Sequence, residues 1–174
     1  LGMSGGWTPA VHLFTQSGGK LKFRDEDQVF IPDTYPSDQI SIGSCNGEFT
    51  LDEILSSISK KLKDFLNIKK TEYENLEIQS HFNKTKRNIW LLPSDKIIGK
   101  TKPFVDYQND ATAKDIKLAL REGFRSIEHV KRYTTTGMGT DQGKLGNMHA
   151  LGIIAETAGS RMGELGTTTF RPPY

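Results

Sequence analysis

Cysteine occurs once in these 174 residues, at Cys45. A single thiol can form no internal disulfide framework and no cysteine-built metal site, so the small disulfide-stapled and zinc-ribbon classes are excluded. Cys45 stands in a glycine turn with no neighbouring histidine or basic residue to activate it, and it does not read as a nucleophile. Long apolar runs are missing as well. Nothing approaches the roughly 20 residues that a membrane helix needs. The opening Leu1-Gly2-Met3-Ser4-Gly5-Gly6-Trp7 lacks the basic and long apolar parts of a secretory leader. These absences give the expectation of a cytoplasmic protein that spans no membrane. Charge of one sign is also scarce: 23 Lys and Arg against 21 Asp and Glu leave a net +2. Basic residues gather at Lys60-Lys61-Lys63, Lys69-Lys70 and Lys84-Lys86-Arg87, but acids lie among them. They read as a solvated face, with no nucleic acid as partner. No Gly-x-Gly-x-x-Gly follows a strand, so the usual dinucleotide fingerprint is absent.

What is present falls into a mixed first half and a helical second half. After the Gly5-Gly6-Trp7 turn, residues 19–31 read as a hairpin, with Leu21 and Phe23 alternating with lysines and Val29-Phe30-Ile31 returning before Pro32. Gln39-Ile40-Ser41-Ile42-Gly43 reads as a further strand that runs into the glycine-bounded turn 43–47. Thr50 and Glu53 have capping-box spacing, and Leu51, Ile54, Leu55, Ile58, Leu62, Phe65 and Leu66 form a helical stripe over 51–66. Strand, glycine turn and helix together suggest the end of a doubly wound nucleotide-binding domain over 1–66. Residues 67–102 read as a linker with one short strand at Ile89-Trp90-Leu91-Leu92. Thr112 caps a helix 113–122 with Ile116, Ala119 and Leu120 inward, and Ser126 caps the next one to Tyr133. A glycine-rich loop 134–146 precedes a third helix marked by Met148, Leu151, Ile154, Ala155 and Ala158 and closed by Gly159. Residues 103–160 are therefore expected to be a small helical domain, and 161–174 an extended linker, because the paired prolines near its end forbid a helix there.

Three segments carry a family resemblance. They are Ser4-Gly5-Gly6-Trp7-Thr8-Pro9 with Val11-His12-Leu13-Phe14, then residues 104–116 (Phe-Val-Asp-Tyr-Gln-Asn-Asp-Ala-Thr-Ala-Lys-Asp-Ile), and residues 128–144 (Glu-His-Val-Lys-Arg-Tyr-Thr-Thr-Thr-Gly-Met-Gly-Thr-Asp-Gln-Gly-Lys). With the closing Gly-Thr-Thr-Thr-Phe-Arg-Pro-Pro-Tyr they resemble the alpha subunit of heterotetrameric sarcosine oxidase along almost the whole chain. The resemblance implies an internal piece of a longer flavoprotein subunit. Its fold class would be α+β: the C-terminal portion of a doubly wound nucleotide-binding domain, then a small all-helical domain like bacterioferritin-associated ferredoxin, with a folate domain to follow. The parent would demethylate sarcosine oxidatively and pass the one-carbon unit to tetrahydrofolate, with partners in the beta, gamma and delta subunits and FAD elsewhere in the complex.

The same resemblance implies site residues. A non-redox NAD would lie against Gly6, Thr8, Leu13 and Thr15, just outside a strand end. A covalent FMN at the alpha–beta interface would have its phosphate approached by Arg132, Thr135, Thr136 and Lys144. His12 reads as a packed or capping residue, and no catalytic residue is expected in the chain. Ferredoxin-like relatives hold a [2Fe-2S] cluster through four cysteines, whose positions here are Asp106, Gln108, Asp141 and Gly146. Thiolates are required for that chemistry, so no cluster is expected. Two other readings stay open: the alpha subunit of a related amine, proline or opine dehydrogenase, which would usually show the cysteines, and a non-catalytic interaction module.

Overall fold

Alternating apolar side chains on either side of a four-residue turn do build the hairpin. β1 (Lys20–Arg24) and β2 (Val29–Thr34) pair antiparallel in the computed structural model, which describes residues 7–36, 38–68, 78, 88–94 and 100–173. The chain divides into two compact units, Leu1–Asn88 and Ile89–Tyr174. In the first, β2 runs on through Pro32, which the sequence had placed beyond the strand. Proline is tolerated because a two-stranded sheet has only edges, and Pro32 lies opposite Leu21, next to a register shift that already interrupts the ladder. Val29, Phe30 and Ile31 are buried together with Val11 and Phe14. Phe14 comes from a one-turn helix, α1 (His12–Gln16), that the sequence did not announce. Its ring meets Tyr35 edge-on, with centroids 4.9 Å apart.

Residues 39–42 are not a strand. They run unpaired into a 3-10 turn, Gly43–Asn46, so the strand needed for a strand–turn–helix nucleotide unit is missing, and the first unit's described residues hold only the antiparallel pair. The helix α2 (Leu51–Leu66) lies where the capping spacing put it: Thr50 Oγ1 accepts from Glu53 N, and Glu53 Oε2 accepts from Thr50 N. Its apolar stripe is only half covered by the described residues, and Leu51, Phe65 and Leu66 are exposed.

Glu48 ties the 3-10 turn to α2. Its carboxylate accepts from Lys61 Nζ at 2.9 Å, Asn46 Nδ2 at 2.8 Å, Gly43 N at 2.9 Å and Ser57 Oγ at 2.5 Å. Burial pushes this acid up, but the Ser57 hydroxyl, Lys61, the Gly43 amide and Asn46 together outweigh it and hold the group below the usual glutamate range. A group held down in this way stabilises the fold above its ordinary range, near 4.3, and stops doing so as pH falls through its lowered value. Glu48→Gln puts an amide NH₂ against two donors and is expected to cost about 2 kcal/mol, typical for hydrogen bonds to a charged group. Urea titrations at neutral and at acid pH check this; the gap between variant and parent should narrow in acid.

The second unit is not all-helical. A small hairpin, β3 (Phe104–Asp106) with β4 (Ala111–Thr112), precedes the helices α3 (Ala113–Arg121), α4 (Ile127–Thr134), α5 (Asn147–Ala158) and a one-turn α6 (Met162–Leu165) within the stretch read as an extended linker. Thr112 forms a full capping box with Asp115. Ser126 occupies the start of α4 without a side-chain cap bond, its carbonyl receiving His129 N and Val130 N instead. Ile116, Ala119 and Leu120 of α3 are buried as expected, with Val130 of α4 and Leu151, Ile153 and Ile154 of α5. The apolar island 89–92 is not a strand. Trp90 instead lies over Gly152 of α5, where a Cβ would come within 2.2 Å of the indole, and meets His149 edge-on.

Candidate functional site

The β3–β4 turn and the loop between α4 and α5 form one hydrogen-bonded latch, organised by a carboxylate. Asp106 ends β3 and is only 5% exposed. Its Oδ1 accepts from Gln108 N and Asn109 N, both at 2.9 Å, closing its own turn. Its Oδ2 accepts from Gly137 N at 2.6 Å, 31 residues away, and from Asn109 Nδ2 at 3.4 Å. Gln108 spans the same gap: its Oε1 accepts from Asp141 N at 3.2 Å, and its Nε2 donates to Thr140 Oγ1 at 2.7 Å. Asn109 Nδ2 also donates to the Thr135 carbonyl at 3.1 Å. Asp141 organises the loop from within, accepting from Gly143 N at 3.1 Å and Leu145 N at 3.4 Å.

The four positions that would hold a cluster are therefore neighbours. Gln108 is bonded to the Asp141 amide, and at Gly146 a Cβ would lie 3.9 Å from the Asp106 Cα. That same Cβ would sit 2.7 Å from the Val105 carbonyl oxygen, so the backbone here packs closer than any side chain allows. The carboxylates of Asp106 and Asp141 already accept backbone N–H groups, and no group of three or more His, Cys, Asp or Glu suited to a metal occurs among the described residues. This donor set does not fit an iron–sulfur cluster, whose irons need thiolates. Burial pushes Asp106 up, but the amides of Gly137, Asn109 and Gln108 and the Asn109 side chain outweigh it and hold the acid below the usual aspartate range.

A buried asparagine, which the sequence reading passed over, keys the loop. Asn147 opens α5 and is only 8% exposed. A Cβ on Gly137 would fall 2.2 Å from its Oδ1, and one on Gly143 2.1 Å from the same atom. Both glycines have positive φ, 73° and 75°. Two glycines in the loop just before the residue that starts a helix were the available sign.

Of the four residues assigned to a phosphate, Arg132, Thr135 and Lys144 are at the surface. Thr136 is not. It is 2% exposed, and its hydroxyl pairs with Thr134 Oγ1 at 2.7 Å, which in turn donates to the Val130 carbonyl, so it faces the core. Thr135 donates its own hydroxyl to the Thr134 carbonyl. In the first unit Thr8 is exposed, Leu13 is 72% exposed on α1, and Thr15 donates to the His12 carbonyl at 3.0 Å; Gly6 lies outside the described residues. The chain entering Leu13 and Thr15 is helix rather than the end of a strand, and His12 is a half-buried first residue of α1, not its cap.

Residues 100–174 match the sarcosine oxidase A3 domain. Sarcosine oxidase subunit alpha of Rhizobium meliloti (strain 1021) is 36% identical over 185 residues, covering all of this chain and 18% of that protein. The subunit alpha of Corynebacterium sp. (strain P-1) is 34% identical over 181 residues, again over the whole chain and 19% of the relative. The chain is homologous to a segment of the sarcosine oxidase alpha subunit. It spans under a fifth of the length of these relatives. The fold of this sarcosine oxidase homologue also resembles L-proline dehydrogenase from P. horikoshii, with a TM-score of 0.60 and 21% identity over 97% of this chain and 36% of that one. No helix among the described residues is long and apolar enough to cross a membrane.

Proposed function

We propose that this chain is a non-catalytic scaffold segment of a sarcosine-oxidising alpha subunit, and that its second unit is a cluster-free version of a ferredoxin-like domain. The observation that carries this reading is the latch. Where a related domain would join its hairpin to its glycine loop through thiolates and iron, amide and carboxylate groups of Asp106, Gln108 and Asn109 join them here. In the assembled parent, sarcosine would be oxidised to glycine with formation of hydrogen peroxide at flavin held elsewhere, and the one-carbon unit would go to tetrahydrofolate. This segment would supply a face toward the FMN-bearing interface with the beta subunit and part of an NAD site.

Arg132 and Lys144 are the residues suited to an FMN phosphate, being exposed cations at the end of α4 and within the latched loop. Thr135 can add only a hydroxyl already shared with its neighbour's carbonyl. For NAD, Leu13 offers an exposed apolar surface, with Thr8 and Thr15 near it in sequence. Lys144→Met in the assembled complex is expected to lower FMN per complex at least twofold while the wild type contains no iron or acid-labile sulfide. Unchanged flavin content removes the phosphate role, and stoichiometric iron removes the cluster-free reading. Leu13→Asp should lower bound NAD in the same preparations. Turnover with sarcosine against L-proline separates the leading substrate from the proline dehydrogenase alternative.

A further inference from the structure

The two oxygens of Asp106 do different work. Oδ1 serves only its own turn, through Gln108 N and Asn109 N, whereas Oδ2 reaches across to Gly137 N in the α4–α5 loop. We propose that Asp106 is a proton-operated latch, in which protonation at Oδ2 releases the loop around Gly137 while the β3–β4 turn and the helical core stay folded. A proton on Oδ2 turns that atom into a donor facing the N–H groups of Gly137 and Asn109, so Asp106's own bond across the gap is lost, while its bonds through Oδ1 and the links from Gln108 and Asn109 to the loop's other residues survive.

The surroundings leave the carboxylate's charge to the amides alone. Asp106 has no ion-pair partner among the described residues. The charged or titratable groups on the elements around it are Tyr107 and Asp110 of its own hairpin, Glu128, His129, Lys131, Arg132 and Tyr133 of α4, Asp141 and Lys144 of the loop, and His149 and Glu156 of α5; among the described residues no ion pair joins Asp106 to any of them. Its charge is thus held by N–H dipoles, and those aimed at Oδ2 are the ones that a proton on that atom displaces. The loop set free would be the one that carries exposed Met138, Lys144 and Leu145. The release stands independently of the function proposed above.

Amide hydrogen exchange on the 174-residue chain, corrected for the intrinsic pH dependence, tests this. Protection of Gly137 is expected to fall several-fold between neutral pH and about pH 3, below the ordinary aspartate range, while Gln108 and Ile154 keep theirs. Asp106→Asn should show the low Gly137 protection already at neutral pH and no further response to acid. Asn109→Ala, which keeps the carboxylate, should retain the response. Gly137 protection that does not change with pH overturns the proposal, and so does loss of Gly137 and Ile154 protection together, which would be global unfolding. If Asp106→Asn does not fold, the wild-type and Asn109→Ala profiles decide alone.

Discussion

Gly143→Ala is expected to destabilise the second unit by about 3 kcal/mol, the sum of a left-handed backbone penalty of roughly 1 kcal/mol and the displacement of a buried polar side chain at about 2 kcal/mol. The new methyl group would fall 2.1 Å from Asn147 Oδ1 and 2.2 Å from its Nδ2, and Gly137 already packs closely against the same Oδ1, so the side chain must shift as a whole. Chemical denaturation followed by helix signal measures the loss. A double-mutant cycle with Asn147→Ala separates the two causes. Removing the amide relieves the clash but not the backbone strain, so the double variant should lose at least 1 kcal/mol less than the sum of the singles. Strict additivity would mean that Asn147 is not the obstacle.

A second large effect runs against helix propensity. Gly152→Ala lies inside α5, where alanine would ordinarily stabilise by about 1 kcal/mol. A Cβ there would meet Trp90 at 2.2 Å, so the indole must leave its notch, and the expected net result is a loss of about 2 kcal/mol as aromatic area returns to water. Fluorescence reads the event directly. The chain's other tryptophan, Trp7, is already 77% exposed, so any red shift belongs to Trp90. A variant that is more stable with an unshifted emission spectrum would show that the 88–94 segment does not depend on this contact.

Local rules made much of the fold readable. Thr50 with Glu53, and Thr112 as a cap, fixed two helix starts because capping is a contact between residues two or three apart. The spacing of Ile116, Ala119 and Leu120 gave the buried face of α3 for the same reason. Features decided by distant partners were not readable. Residues 39–42 have strand composition but no strand partner among the described residues, and in the apolar island 89–92 it is Trp90 that finds its place, in a notch of the distant helix α5 and not in a sheet. Of the site, the clustering of 106, 108, 141 and 146 came from family resemblance, but the bond from Gly137 to Asp106 and the inward turn of Thr136 depend on how two loops meet in space.

The Asp106–Gln108–Asn109 latch is made wholly of atoms that arrive with the polypeptide. Its closure therefore waits on no sulfur-assembly machinery and no metal supply, and the loop can be set as soon as both strands of chain have left the ribosome. In an assembly proposed to generate peroxide, such a fastening also gives the product no sulfur ligand to oxidise.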